Sequence, residues 1–175
     1  MGADCIDIFN HPSQPGTSFG IFHQVDDPNM KTFSLYLAQS ADGLTNWSTV
    51  AKLQNEASQG KVWVNPKGED VLVVYETTNE ELGNNIVLNH YQDISSLLKA
   101  KPIKRVSLAR SLAPISEGTP SFERVDFSGG DLATAVILLN FHYHKDSLVD
   151  QQAVGLYGHT AAKKTQHPFS WQFFN

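Results

Sequence analysis

Along the chain, apolar residues come in short bursts. Runs of about five residues rich in Val, Ile, Leu, Phe and Tyr are separated by clusters of Gly, Pro, Asn, Asp and Ser, the pattern of strands joined by turns. Some runs do not alternate. Val71-Leu72-Val73-Val74-Tyr75 is apolar at every position, as expected of a strand buried on both faces. A strand in a simple sandwich would keep one polar face. Helical periodicity is nearly absent. The exception is Asp93-Ile94-Ser95-Ser96-Leu97-Leu98-Lys99, where Asp93 can cap a single turn or a short helix.

The bursts repeat. Ser58-Gln59-Gly60 and Ser116-Glu117-Gly118 stand 58 positions apart, and one further step back reaches the start of the chain near Asp4. The chain thus divides into units of about 1–57, 58–115 and 116–175, a single domain of three repeats. Each unit predicts four strands. The first begins at Asp4, Ser58 or Ser116. Turns at 10–18, 65–68 and 126–131 lead to apolar second strands at 19–23, 71–76 and 133–143. Polar loops at 26–29, 79–85 and 144–150 precede third strands at 33–38, 86–91 and 153–157. Fourth strands fall at 47–50, 104–108 and 169–174. Stacked four-stranded antiparallel blades of a β-propeller would bury both faces of the inner strands. The fold class expected is therefore all-β, built of three propeller blades. Three blades do not close a ring, since propellers use about four to eight. Either further blades belong to a longer chain, or a second copy completes a six-bladed ring, or the repeat belongs to another kind of sheet stack.

Composition narrows the partners. The 175 residues are 41% hydrophobic and 18% charged, as in a globular domain, and no apolar run is long enough to span a membrane. A net charge of −5 argues against nucleic acid, whose phosphates call for a basic patch. The single cysteine, Cys5, allows no internal disulfide. The first residues have neither the basic nor the apolar segment of a secretory leader. Because a Met-Gly start can replace such a leader, localisation stays open, with an extracellular setting favoured. No phosphate-binding loop, dinucleotide fingerprint or serine-nucleophile motif is present, and no cofactor is expected. His142-x-His144 would put two imidazoles on one side of a strand. No Cys, Asp or Glu stands at a first-ligand spacing beside them, so no metal is expected.

Two segments carry a resemblance. Ser40-Ala41-Asp42-Gly43-Leu44-Thr45-Asn46-Trp47 resembles the Asp-box and the related Ser-x-Asp-Gly-x-x-Trp turns of sialidase-like propellers and of five-bladed glycoside hydrolases of the arabinanase and xylosidase type. It differs from the strict Asp-box, in which another residue separates Asp from Gly. Asp42 would bind turn amides, Gly43 would supply a positive φ and Trp47 would plug the gap between blades. In those families the turn is structural. The second segment, Ser116-Glu117-Gly118-Thr119-Pro120, resembles the Glu-Gly-Pro motif of the five-bladed enzymes, with Thr119 interposed. There the glutamate is the general acid.

The resemblance implies a paired-carboxylate glycoside hydrolase acting on a polysaccharide or oligosaccharide. One carboxyl group of raised pKa would protonate the leaving oxygen, and a second would face it across the sugar at about 5 to 9.5 Å. It makes Glu117 the acid and Asp4 the base, with Asp7 the next candidate. The middle unit offers Gln59 at the corresponding place, which cannot ionise. Glu76 ends Val74-Tyr75-Glu76, similar to the Tyr-Glu ending of sialidase-like propellers. Phe22-His23 and Phe141-His142 end equivalent strands. Glu76, His23, His142 and Gln59 are thus the candidate substrate-binding residues. The alternative is a non-catalytic propeller that binds carbohydrate or protein, its carboxylates only solvating loops.

Overall fold

The computed structural model describes residues 4–26, 29, 32–77, 84–107, 116–127, 130–132, 134–144, 150–158 and 170–174. Among these, twelve strands and one short helix occur in the order β1 (Asp4–Asn10), β2 (Ser18–Val25), β3 (Phe33–Ser40), β4 (Ser48–Asn55), β5 (Ala57–Val64), β6 (Val71–Thr77), β7 (Asn85–Tyr91), α1 (Ile94–Leu98), β8 (Lys104–Ser107), β9 (Ser116–Asp126), β10 (Val136–His144), β11 (Asp150–Gly158) and β12 (Ser170–Phe174). They form three four-stranded antiparallel sheets, each ordered as its strands run in sequence. β4 runs on to Asn55, beyond the short fourth strand that the sequence suggests. Of its eight residues only Leu53 is buried, so the strand carries little hydrophobic signal.

The second sheet lies between the other two, and this explains its composition. Along β6, Val71, Val73 and Tyr75 join a core shared with Phe19, Ile21, Leu35 and Leu37 of the first sheet. Leu72 and Val74 point the other way, into a core with Ile137, Leu139 and Phe141 of the third. Side chains alternate across a strand, so a strand between two sheets must be apolar at every position. The three sheets are thus propeller blades stacked face on face.

Turns follow from their residues. In the β5–β6 connection the Asn65 side chain accepts from the Lys67 amide at 3.1 Å, and Gly68 takes φ 74°. Asp93 caps α1, accepting from the Ser96 amide at 2.6 Å. The helix tucks Ile94 and Leu97 into the core between the first and second sheets.

The first strands β1, β5 and β9 pack side by side along one edge of the stack. Their spacing there is tight. A Cβ on Gly60 would lie 2.6 Å from Leu35 Cδ1 and 2.8 Å from Ile21 Cγ2, so only glycine lets β5 approach the first sheet this closely. Each first strand also slips register near its start, between Asp4 and Asp7, between Ser58 and Lys61, and opposite Asn140 and His142. An extra residue in one strand of a pair is a β-bulge, and it bends the strand and re-aims the neighbouring groups.

Candidate functional site

The end of the stack at which the first strands begin holds all six candidate residues. Strand pairing sets Asp4 opposite His23, Ser58 opposite Glu76 and Gly118 opposite His142. His23, Glu76 and His142 therefore hold one repeated place, the end of the second strand, each after an aromatic residue. The side chains of Asp4, Glu117 and His142 lie outside what the structure describes, and only their backbone places are given.

Two of these places are joined to the next sheet in the same way. The Gln59 amide donates to Nδ1 of His23 at 3.3 Å, and the Thr119 amide donates to Oε2 of Glu76 at 3.2 Å. Both donors sit in the bulges and both have left-handed backbones, φ 54° for Gln59 and 49° for Thr119. The positive φ turns the amide out of its own sheet toward the neighbouring one, a conformation that non-glycine residues rarely take. His23 and Glu76 are 6% and 9% exposed, and Glu76 also accepts from Nδ2 of Asn84. An acceptor so buried and so bonded serves first to bind sheet to sheet. Asp7 acts likewise: its Oδ2 accepts from the Val62 amide of β5 at 2.8 Å.

This register changes one expectation. Glu117 lies opposite Tyr143, and the residue at that place in the second sheet is Ala57, opposite Thr77. Gln59 corresponds to Thr119 instead. The Ser-x-Gly likeness between 58–60 and 116–118 is thus two residues out of step with the bulges. What decides the alignment is the residue that takes the left-handed turn, and in the third sheet that is a threonine, which sequence does not mark. The aromatic before His23, Glu76 and His142 is the signal by which the repeated acceptor place can be found. Asp7 and Thr119, as partners of neighbouring sheets, leave no such mark.

The opposite end of the stack carries the Asp42 turn. Asp42 Oδ1 accepts from Ser40 Oγ at 2.9 Å and from the Asn46 amide at 3.0 Å, while Oδ2 accepts from Asn46 Nδ2 at 2.6 Å. Gly43 and Leu44 both take positive φ. Hydrogen bonds from the Asn46 backbone and side chain hold the carboxyl down at about 2. Trp47 differs from expectation. It lies over Gly20 on the outer face of the first sheet, where an added Cβ would meet its ring at 3.4 Å, and it is 39% exposed. Among the described residues no sheet covers it. Trp63 does pack against the core between the second and third sheets, its ring 5.9 Å from Phe127.

One more polar cluster sits on the hairpin after β2. Asp26 accepts from Lys52 Nζ at 2.5 Å and from the Ser34 and Tyr36 hydroxyls. The Lys52 bond, then those of Ser34 and Tyr36, lower its carboxyl to about 2.

A search of solved structures finds this arrangement in the crystal structure of a xylan β-1,4-xylosidase from Bacillus halodurans C-125. The match has a TM-score of 0.60 and 12% identity, covering 98% of this chain and 30% of that one. The chain is a stack of propeller blades. It shares that fold with part of a glycoside-processing enzyme, and at this identity the likeness is one of fold alone. No family model matches the chain, and no curated protein matches it. Among the described residues, no helix is long and apolar enough to cross a membrane.

Proposed function

We propose that this chain is part of a glycoside hydrolase, acting on a polysaccharide or oligosaccharide at the end of the stack where the first strands begin. One observation carries the reading. The chain of inter-sheet bonds from His23 to Gln59 and from Glu76 to Thr119 puts the starts of β1 and β9, with Asp4 and Glu117, at the same end of the stack. Acid and base catalysis of glycoside cleavage needs two carboxyl groups from separate elements meeting over one bond. In this reading Glu117 protonates the leaving oxygen and Asp4 activates water or attacks the sugar. The likeness of fold to a xylosidase suggests a pentose-containing substrate. His23 and Glu76 hold the sheets that frame the site, and Glu76 fixes the Thr119 backbone two residues from Glu117. His142, at the equivalent strand end, orients the sugar.

A second reading, a non-catalytic carbohydrate-binding propeller, draws on the same bonds. Two of the candidate side chains, His23 and Glu76, are committed to holding sheets together rather than left to act on a substrate. Hydrolysis of aryl β-xylosides and α-arabinosides separates the two. Glu117→Gln should lower turnover about 10²-fold or more while leaving the fold intact, as loss of a general acid does. Sugar binding without turnover in the parent, or turnover equal in both proteins, would reject the hydrolase.

A further inference from the structure

The first sheet has an outer face built like an interface but left open. Ile6 and Ile8 are 53% and 52% exposed there, and with Phe22, Ala38 and Trp47 they line a hollow of about 330 Å³. Register shows what this face is. Ile6 and Ile8 hold the places that Gly60 and Val62 hold in β5, and Pro120 and Phe122 in β9. Gly60 and Pro120 are buried by the preceding sheet, and Val62 and Phe122 pack against the inter-sheet cores. The outer face of the third sheet is the matching end. Along β10, Ile137, Leu139 and Phe141 face the second sheet, so Val136, Leu138 and Asn140 face away, with Val136 40% exposed. Leu138 and Asn140 stand where Leu72 and Val74 stand in β6, and those two are fully buried by the next sheet.

The repeated register of the strand ends continues to the same two outer sheets. His142 holds the acceptor place of His23 and Glu76. Cys5 comes after Asp4 as Gln59 comes after Ser58 and Thr119 after Gly118. We propose that two copies of this chain close into a ring of six sheets. The third sheet of each lies against the first sheet of the other. The contact continues the two interfaces already inside the chain. A head-to-tail contact gives a finite assembly only when it closes, and six blades fall within the usual range of about four to eight. Hydrolysis plays no part in this inference, so its fate is independent of the function proposed above.

Sedimentation velocity on the 175-residue protein tests it. The expected mass is twice that of the chain. Ile8→Lys and Leu138→Glu should each give monomers at concentrations where the parent is wholly dimeric, with unchanged far-ultraviolet circular dichroism. Mixing the two variants should restore the dimer, because the mixed pair keeps one native contact and sets Lys against Glu in the other. If Leu138→Glu loses its strand signal, Val136→Glu, at a position already exposed, replaces it. A monomeric parent, an open series of larger species, or a dimer that Ile8→Lys breaks and neither Leu138→Glu nor Val136→Glu affects would each overturn the proposal. The last would mean that first sheets meet face to face.

Discussion

Glu76 is placed by sequence among the substrate-binding candidates, yet its carboxylate accepts from the Thr119 amide of the next sheet and from Asn84. Glu76→Ala would remove the acceptor of that part-buried amide and should cost about 0.5–1.5 kcal/mol, read as a lower denaturant midpoint. Glu76→Gln keeps an acceptor oxygen and should cost clearly less. Equal losses would mean that the bond to Thr119 contributes little. Asp42 and Asp26 link stability to pH. Both carboxyls fall from an ordinary 3.8 to about 2. A depressed folded-state value adds stability above the unfolded value, and that stability is lost as pH falls from about 4 toward 2. Asp42→Asn and Asp26→Asn should therefore lower the melting temperature at neutral pH and converge on the parent near pH 2. Parallel curves over that window would rule out the linkage. The role of Asp42 is legible in sequence, because a turn is local and the residues that bind Asp42 lie within four positions of it. The role of Glu76 is not, because its partner comes from 43 residues away.

At the scale of strands, the inner ones declare themselves and the outer ones do not. Val71 to Tyr75 can be read as doubly buried from composition, since no polar residue interrupts the run. β4 gives no such sign, with one buried residue in eight. The bulges are invisible for a different reason. They depend on backbone angles at Gln59 and Thr119, neither a glycine, and tertiary packing enforces them. The repeat read from sequence is thus right for the number of sheets but not for the register, whose equivalent first-strand places are Asp4, Ser58 and Gly118, unequally spaced along the chain. Gly60 tests the close approach of strands directly. Gly60→Ala should cost about 1–3 kcal/mol, because its new Cβ would meet Leu35 and Ile21 in a filled core. A neutral effect in chemical denaturation would show that the Leu35 and Ile21 side chains give way without cost.

Taken as a whole, the molecule is graded from its centre outward. The middle sheet is covered on both sides, while the first sheet keeps one open face among the described residues. Hydrogen exchange should track this gradient. Amides of β6 should exchange only with global unfolding, and those of β4 much sooner. Uniform protection across the three sheets would contradict it. The position of β6 also bears on synthesis. A growing polypeptide that has left the ribosome only as far as β8 has one half of this strand's side chains without a cover, and they stay wet until β9 and β10 emerge. For that interval it is a sticky nascent chain, and a chaperone that shields greasy segments is the natural companion of its birth.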